Sequence, residues 1–577
     1  MTFRGEATST NRPPGSAAIV AVDDDDGSSA RIGRVLVRRF GADYEVVLEH
    51  SPSAALKALD ELHRDGRDVA LVLAAHGMAD ITGIEVLAQV SSKHRDARRA
   101  LLIPWGDRST AESIVKASAL GQIDAHIVRP WRDADESFCH AVTELLDEWD
   151  RNHRPQFEAV RIVGDRWDAY SHGVQDALQR SNVPFRFYEA DGAEGRELLR
   201  RAPQPGPLPV AVLFDGRVLP RPTPAQLADA LGVNTDPGAE VFDVTIVGSG
   251  PAGLAAGVYA ASEGLRVLVL ENEALGGQAG TSSLIRNYLG FPRGLSGADL
   301  THRAYRQAWI LGASFLIGRA ANGLRADGDT RVLVLDDGSE IRSRAIVLAV
   351  GVGYRRIGID SLEALVGRGV YYGSGVTEAP GMVDEDVYVV GGANSAGEAA
   401  LHLSRFAARV TILVREASLT AMSDYLIREI KARDNIVFRL NTVVTDGRGD
   451  YRVRSLTIRD TAADRTEVVS ATAVFIMIGA SPRTGWLPPD VQRDDRGYIL
   501  TGDSVPVELE DGRPNEALQT SVPGVFAVGD VRAGSMKRVA AAVGEGSTAI
   551  KMVHDYLAGG DASAARTRDP ARPMPWR

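Results

Sequence analysis

The segment that begins at Phe242, FDVTIVGSGPAGLAAGVYAASEGLRVLVLEN, alternates an apolar strand, a glycine turn, a helix and a second strand. Gly248 permits a tight turn, Gly250 lets the backbone approach a pyrophosphate, and Gly253 lets helix and strand pack closely. The amino end of the helix faces the negative charge of such a ligand. Glu271 ends the second strand, where a carboxylate accepts hydrogen bonds from a ribose. This order of elements predicts a dinucleotide-binding α/β fold. The predicted contacts are Gly248, Gly250, Pro251, Ala252, Gly253 and Glu271.

A second, weaker copy begins at Asp386, DVYVVGGANSAGEAALHLSRFAARVTILVRE. Ala393 stands where the middle glycine is usual, and its methyl group points toward the space that a pyrophosphate would enter. The next strand ends in Arg415 rather than an acid, which favours NADPH because a guanidinium pairs with a 2′-phosphate. Glu416 follows directly and keeps NADH open, and a domain that binds no nucleotide is the alternative. The predicted contacts are Gly391, Gly392, Asn394, Ser395, Ala396 and Arg415.

The chain contains a single cysteine, Cys139, which lies far upstream of both glycine turns. Two dinucleotide sites suggest that electrons pass between two cofactors, and one cysteine excludes an intramolecular disulfide as the relay. It also excludes a disulfide framework and a cysteine-rich metal site. We predict no metal ligand in the chain.

Composition limits the environment and the partners of the chain. Of its 577 residues 44% are hydrophobic, and the net charge is −11. That charge argues against a general nucleic-acid partner, because no excess of basic residues is available to neutralise phosphates. No apolar stretch approaches the ~20 residues of a membrane span. The first residues, MTFRGEATSTNRPPGSAA, lack the apolar core of a signal peptide. We therefore expect a cytoplasmic protein without membrane contact.

Strands that alternate with helices predict an α/β, multidomain protein with parallel sheets. AAIVAV, DVALVLA, RALLIPW and AHIVRPW mark strands of a first domain, and AVRIVG, PFRFYEA and LPVAVLFDG mark strands of a smaller second one. The polar stretch DRNHRPQFE between them is typical of a linker. The predicted boundaries are 1–16 for a disordered leader, 17–150 for the first domain, 157–235 for the second, 241–355 and 479–558 for the two parts of the first nucleotide domain, 356–478 for the second nucleotide domain, and 559–577 for a disordered tail.

Between Val241 and Leu557 several short motifs follow one another in a family-specific order. They are the first glycine turn, Gly276-Gly277-Gln278 with Asn287, AVG ending at Gly351, the second glycine turn, IGASPRT from Ile478, Gly529-Asp530, and Lys537-Arg538-Val539. In this order they resemble bacterial thioredoxin reductase, a low-molecular-weight FAD- and NADPH-dependent disulfide oxidoreductase. The resemblance implies two nucleotide-binding Rossmann-like domains, FAD and NADPH as cofactors, and a homodimer. It also implies rotation between these domains, with the crossovers near Gly351 and Gly479 as hinges.

The sequence departs from that family at the redox centre. The family carries C-x-x-C just before the second fingerprint strand, and here the stretch from Tyr372 reads YGSGVTE. Gly373 and Val376 occupy the cysteine positions, and neither side chain forms a thiolate or a mixed disulfide. Glu378 lies close by. It is interpreted either as a proton donor near the flavin or as a solvent-exposed loop carboxylate, and we favour the second.

The first domain resembles a response-regulator receiver. VDDDD from Val22 fits the acidic pocket of that family, but Ala75 stands at the phosphoacceptor position. Ile103 replaces the switch hydroxyl and Arg129 replaces the lysine that precedes a proline. The resemblance therefore predicts a domain that is not phosphorylated. The acidic cluster is compatible with Mg²⁺, but we favour a solvated acidic loop, and Cys139 is predicted to occupy a plain position of a late helix.

The second domain is similar to a thioredoxin- or glutaredoxin-like fold. Pro209 is the candidate for the cis-proline of that fold, whose backbone can contact a partner chain. Where the active-site thiols would lie, the sequence from Gly164 reads GDRWDAYSH and contains no cysteine. The three-part arrangement is similar to bacterial receiver–reductase fusion proteins, and it leaves a protein partner of the N-terminal domains open.

Three functions are compatible with these features. The favoured one is an enzyme that passes a hydride from NADPH to FAD and then electrons to a non-disulfide acceptor such as ferredoxin, a quinone, oxygen or a protein. The second is a flavin-based signalling or docking protein whose packing reports the supply of NADPH. The third is thioredoxin reduction, as the family resemblance implies.

Overall fold

A computed structural model describes residues 16–94, 96–106, 110–111, 113–114, 117, 122–153, 158–181, 183–201, 206–232, 240–282, 285, 287–291, 294–373, 378–506 and 516–564. The chain divides into two compact units. One comprises Met1–Phe157 with Asp424–Arg433, and the other comprises Glu158–Ser423 with Asp434–Arg577. The predicted leader up to residue 15 lies outside the described residues.

The first unit contains a five-stranded parallel sheet with the order β2-β1-β3-β4-β5. Its elements are β1 (Ala18–Val22), α1 (Asp26–Phe40), β2 (Glu45–Glu49), α2 (Pro52–Arg64), β3 (Val69–Ala75), α3 (Gly83–Lys93), β4 (Arg98–Ile103), β5 (Ala125–Val128) and α4 (Glu136–His153). Successive residues of β1 and β3 point into two separate apolar cores, which is why both strands are continuous apolar runs. The strand β2 was not predicted, because EVVLE is short and its ends are charged. The helix α4 continues past the predicted domain boundary at residue 150, into the expected linker.

The second domain has a four-stranded mixed sheet with the order β7-β6-β8-β9. Its elements are β6 (Val160–Gly164), α5 (Ala169–Arg180), β7 (Phe185–Glu189), α6 (Ala193–Arg201), β8 (Val210–Leu213), β9 (Val218–Pro220) and α7 (Pro224–Ala230). Strands β6 and β7 are parallel, whereas β8 runs antiparallel to both β6 and β9. The Leu208–Pro209 peptide bond is cis, which confirms the prediction for Pro209.

The first nucleotide domain begins with a parallel core to which antiparallel strands are added. Its elements up to the first crossover are β10 (Val241–Val247), α8 (Pro251–Ser262), β11 (Val267–Glu271), α9 (Gly297–Ile310), β12 (Ser314–Ile317), β13 (Ala321–Asp327), β14 (Thr330–Leu335), β15 (Glu340–Leu348) and β16 (Val352–Tyr354). The sheet has the order β12-β11-β10-β15-β14-β13. The helix α8 contains mostly alanine and glycine because it is buried between this sheet and a neighbouring helix.

The second nucleotide domain repeats the parallel core on a smaller scale. Its elements are α10 (Asp360–Glu363), β17 (Val370–Tyr372), β18 (Asp386–Val390), α11 (Asn394–Leu403), β19 (Arg409–Leu413), β20 (Ile436–Arg439), β21 (Thr442–Arg448), β22 (Ser455–Asp460), β23 (Arg465–Ser470) and β24 (Ala473–Ile476). The intervening helix α12 (Asp424–Lys431) belongs to the other compact unit. The parallel sheet has the order β17-β24-β18-β19-β20, and β21 to β23 form a separate antiparallel sheet.

The chain then returns to the first nucleotide domain. The return crossover, β25 (Ala480–Pro482), pairs antiparallel with β16, so the two predicted crossovers form one two-stranded ribbon. β26 (Val525–Ala527) adds to β15, and α13 (Val539–Ala564) packs on α8. α13 continues beyond the predicted start of the disordered tail at residue 559, and residues 565–577 lie outside the described residues. No helix among the described residues is long and apolar enough to span a membrane.

Candidate functional site

The first glycine turn connects β10 to α8 and has three different steric environments. Gly248 has a φ of +106°, and a Cβ there would lie 2.4 Å from the Ala349 carbonyl oxygen. A Cβ at Gly253 would lie 1.9 Å from the Gly248 carbonyl oxygen, so helix and strand touch at this point. At Gly250, by contrast, no protein atom lies within 4 Å of the Cβ position. The turn is therefore tight on the protein side and open at Gly250, next to the amino end of α8, which is the arrangement that a pyrophosphate needs.

The acid of the first fingerprint is held by the turn itself. Glu271 is 8% exposed at the end of β11. Its Oε2 accepts hydrogen bonds from the Ser249 backbone nitrogen (2.9 Å) and the Ser249 hydroxyl (2.7 Å), and its Oε1 accepts one from the Glu273 nitrogen (2.9 Å). Each carboxylate oxygen has further lone pairs for ribose hydroxyls. Ser249 was not predicted, because the x positions of the glycine motif carry no signal of their own.

The predicted flavin loop lies against the glycine turn. Gly276 has a φ of +90°, and a Cβ at Gly277 would lie 3.1 Å from the Gly250 Cα. Gln278 Nε2 donates a hydrogen bond to the Val352 carbonyl oxygen (2.6 Å), at the start of the crossover that follows Gly351. The structure thus brings the loop, the turn and the crossover together, as the resemblance implies. Asn287, in contrast, is exposed.

The C-terminal motif, Gly529-Asp530 with Lys537-Arg538-Val539, also lies against the first glycine turn. A Cβ at Gly529 would lie 2.9 Å from the Ala252 Cβ. The Gly529 nitrogen donates to Glu545 of α13 (2.7 Å), a contact for which the sequence contained no signal. Burial raises the pKa of Asp530 and lowers the pKa of Lys537. Arg538 directly precedes α13, which begins at Val539, and the Arg538 carbonyl oxygen accepts a hydrogen bond from the Ala542 nitrogen (3.0 Å).

The second glycine turn connects β18 to α11. Gly391 has a φ of +148°, and a Cβ there would lie 2.5 Å from the Met477 carbonyl oxygen. Ala393 has extended backbone and precedes α11, which contains Ser395, exposed, and Ala396, buried. The Asn394 Oδ1 accepts a hydrogen bond from the Ser423 nitrogen (2.7 Å), so this side chain orders a neighbouring loop.

The residues predicted to select the nicotinamide nucleotide form an ion pair. Arg415 Nε donates to Glu416 Oε1 (2.5 Å), and the pair raises the pKa of Arg415 and lowers the pKa of Glu416. Glu416 Oε2 lies 3.5 Å from the Cβ position of Gly392, so the carboxylate stands beside the glycine turn. The Arg415 side chain is 79% exposed and can turn toward a phosphate.

The segment that lacks cysteines is crowded. Gly373 is buried with a φ of +122°, and a Cβ there would lie 3.1 Å from the Tyr354 hydroxyl. The Tyr354 hydroxyl lies 3.5 Å from the Thr281 Oγ1, at the end of the flavin loop. Gly373 is therefore adjacent to the predicted flavin site, as the resemblance implies for a redox centre. Val376 lies outside the described residues.

Our interpretation of Glu378 as a solvent-exposed carboxylate is wrong. Its side chain is 10% exposed, and its Oε1 lies 3.1 Å from His172 Nδ1 of the second domain. Burial raises the pKa of Glu378, and His172 opposes this shift. The sequence contained no signal for this contact, because the two residues are far apart in the chain.

The first unit places its predicted residues at the carboxyl edge of its sheet. Ala75 is fully buried at the end of β3, and Ile103 ends β4. Asp23 is 1% exposed and pairs with Arg129 Nε (3.3 Å), so the expected solvated acidic loop is wrong for this residue. Cys139 is buried in α4, and burial raises the pKa of its thiol. No cluster of potential metal ligands occurs among the described residues.

Known proteins match the part of the chain that contains the two glycine turns. Residues 242–546 match the sequence model of the family described as pyridine nucleotide-disulphide oxidoreductase. The chain is 34% identical over 320 residues to thioredoxin reductase of Mycolicibacterium smegmatis, and this match covers 55% of the chain and 97% of the relative. It is 33% identical over 317 residues to thioredoxin reductase of Treponema pallidum, covering 55% and 97%. The crystal structure of Lactococcus lactis thioredoxin reductase is 28% identical with a TM-score of 0.51, covering 55% of the chain and 99% of that protein.

Proposed function

From the premise that this chain belongs to the pyridine nucleotide-disulphide oxidoreductase family and is an FAD-dependent NAD(P)H oxidoreductase, we propose that its electron acceptor is not a disulfide. The observation that carries this proposal is the redox segment. Gly373 stands at a cysteine position of the family, and the only cysteine of the chain, Cys139, is far upstream and buried. A disulfide exchanges with a protein thiolate through a mixed disulfide, and no residue of the redox segment provides one.

The residues of the first nucleotide domain are proposed to hold FAD. The open face of Gly250 and the amino end of α8 receive the pyrophosphate, and Glu271 accepts the ribose hydroxyls. Gln278, held by Val352, and Asp530 line the flavin side of the same cradle. Bound FAD would supply hydride and electron transfer chemistry between NADPH and the acceptor, and the protein would contribute the positions of the cofactors, the exclusion of water and charged groups.

NADPH is proposed to bind at the second glycine turn. The backbone of Gly391 and Gly392 and the amino end of α11 face its pyrophosphate, and Arg415 faces the 2′-phosphate. Because Ala393 replaces a glycine, its methyl group would keep a pyrophosphate slightly farther from the backbone than in the usual motif. The NADPH site is therefore the weaker of the two.

Thioredoxin reduction is the second candidate, and it is favoured by the names of the relatives. It requires that a disulfide substrate be reduced without a protein thiol beside the flavin. The two candidates differ in a simple result, because only the second predicts NADPH-dependent reduction of thioredoxin or of an aromatic disulfide reagent.

The decisive experiment is an anaerobic titration of the FAD-loaded protein with NADPH and, separately, with NADH, followed by the bleaching of the flavin absorbance. We expect bleaching by NADPH at lower concentration than by NADH. The bleached protein is then mixed with ferredoxin, a quinone, oxygen and a disulfide in turn. Reoxidation by one of the first three supports the proposal. Reoxidation by the disulfide alone contradicts it, and the absence of bleaching contradicts the NADPH site.

Replacement of Arg415 with alanine tests the nucleotide preference. We expect the KM for NADPH to rise about tenfold, because a charge-assisted hydrogen bond contributes about 1.5–3 kcal/mol. The KM for NADH is expected to stay the same. Arg409→Ala is the matched control, since Arg409 is exposed at the opposite end of β19. Equal effects of Arg415→Ala on both nucleotides would contradict a role in 2′-phosphate recognition.

A homodimer and a cytoplasmic location are also proposed, from the family to which the chain belongs. Light scattering coupled to size-exclusion chromatography measures the first directly. A monomer at micromolar concentration would contradict it.

A further inference from the structure

The two segments in which both resemblances expect thiols face each other. One is the turn and first helical turn of the second domain, residues 165–172, and the other is the redox segment around Gly373 and Glu378. Beside the contact of His172 Nδ1 with Glu378 Oε1 (3.1 Å), the His172 ring lies 5.2 Å from the Tyr371 ring between centroids. Two segments in which the resemblances expect thiols are thus in contact, and neither contains a cysteine.

Contacts beside this pair extend the interface along the second nucleotide domain. A Cβ at Gly367 would lie 2.5 Å from the Ala169 Cα, so α5 begins directly against this glycine. The Arg452 guanidinium lies 4.5 Å from the centre of the Trp167 ring. The Tyr451 hydroxyl donates a hydrogen bond to Asp165, and burial together with Asp165 raises the pKa of Tyr451 to about 12.

The second domain also contacts the first nucleotide domain. Arg180 Nη1 lies 3.4 Å from Glu273 Oε2, and Glu273 Oε1 accepts from Arg483 (2.7 Å). These two guanidinium groups lower the pKa of Glu273 against the effect of its burial. A Cβ at Gly318 would lie 2.6 Å from the Ala225 nitrogen at the start of α7. The second domain is therefore attached to both nucleotide domains at once.

The interface covers the described residues on both sides of the redox segment. Gly373 is buried, Tyr371 is 5% exposed, and the Glu378 side chain is 10% exposed. Gly373 in turn contacts Tyr354, which lies beside the flavin loop. A folded protein needs a patch of roughly 800 Å² on its partner for a stable complex. Because His172 contacts both Tyr371 and Glu378, these two residues are not accessible to a partner protein while residues 165–172 stay in place.

We infer that the second domain, residues 158–232, is a built-in cover that excludes protein-sized electron acceptors from the redox-segment edge until it is released. This inference rests on the proposed function and specifies which acceptors the enzyme serves in the docked arrangement. The interface is polar and includes ion pairs, so a charge change or a partner that binds this domain can shift it between docked and released states.

The test removes the basic partner of Glu378 at the centre of the interface in the full chain. His172→Glu places a second carboxyl group opposite Glu378, and two carboxyl groups that close in a buried site either repel as like charges or hold one acid protonated, both of which disfavour the docked arrangement. His140→Glu is the matched control, because His140 also pairs with a glutamate, Glu144 (3.4 Å), but is 76% exposed in α4. Tyr451→Phe with Arg452→Ala removes contacts without adding charge, and it replaces His172→Glu if that variant does not fold.

The first measurement is hydrogen–deuterium exchange, which needs no turnover. We expect amides of α5 and of residues 366–373 to exchange at least about tenfold faster in His172→Glu than in the unchanged protein, and to stay unchanged in His140→Glu. Equal exchange in His172→Glu and the unchanged protein would overturn the inference, because the contact would then not hold the domain in place.

The second measurement is the ratio of ferredoxin reduction to p-benzoquinone reduction with NADPH. We expect His172→Glu to raise this ratio at least about tenfold, since release of the domain exposes an edge for a protein but changes little for a small molecule. The inference is overturned if the ratio is the same in the released variant and in the unchanged protein. It is also overturned if neither protein reduces ferredoxin. If NADPH bleaches no flavin in any protein, the proposed function fails, whereas the exchange data still decide whether the domain is docked as described.

Discussion

Replacement of Gly253 with alanine is expected to destabilise the first nucleotide domain by about 3 kcal/mol or more. The added Cβ would lie 1.9 Å from the Gly248 carbonyl oxygen, and backbone at that distance cannot move aside without separating α8 from β10. The measurement is a urea titration of the FAD-free protein, followed by far-UV circular dichroism. We expect the transition of this domain to shift to lower urea and the purified variant to contain little FAD.

Gly250→Ala is the control that separates packing from cofactor binding. Gly250 has a φ of −67°, which alanine adopts readily, and no protein atom lies within 4 Å of its Cβ position. The stability of the FAD-free protein is therefore expected to stay the same or to increase by up to about 1 kcal/mol. The dissociation constant for FAD is expected to rise about tenfold or more, because the methyl group enters the space assigned to the pyrophosphate. Unchanged FAD affinity in Gly250→Ala would contradict that assignment.

Introduction of cysteine at position 373 is expected to destabilise the protein rather than to create a disulfide reductase. Gly373 has a φ of +122°, and a Cβ there would lie 3.1–3.2 Å from three atoms of the Tyr354 side chain. The unfavourable backbone costs about 1–3 kcal/mol, and the crowding adds to this cost. The midpoint of FAD release in urea is expected to fall for Gly373→Cys, and Gly373→Cys with Val376→Cys is expected to reduce no thioredoxin with NADPH.

Gly312→Cys controls for the backbone contribution. Gly312 has a φ of +104°, close to that of Gly373, but no protein atom lies within 4 Å of its Cβ position, so only the backbone cost applies. A smaller shift in Gly312→Cys than in Gly373→Cys reports the contribution of Tyr354. A double cysteine variant that is stable and reduces thioredoxin would contradict the expectation. The missing thiols alone would then explain the lack of disulfide reduction, and crowding by Tyr354 would not contribute to it.

Much of the architecture was predictable because its signals are local. Strand–turn–helix segments such as 242–272 carry the periodicity of both elements and the glycines of the turn in one short stretch. Short or charged edge strands were missed, among them β2, since EVVLE lies at the sheet edge and is only partly buried. Ends of helices were also misplaced: α4 and α13 continue past the predicted boundaries because polar residues remain compatible with a helix where nothing terminates it.

The sequence by itself determined the family and its two nucleotide folds, and it places Gly373 of the redox segment where the resemblance expects a cysteine. These depend on residue identity and on short-range spacing, which a sequence displays directly. Only the tertiary structure decided the surroundings of that segment. His172 and Glu378 are brought together by the docking of one domain on another, and Asp23 is neutralised by Arg129 from a different strand end. Contacts between residues far apart in the chain arise from packing, and no local pattern encodes them.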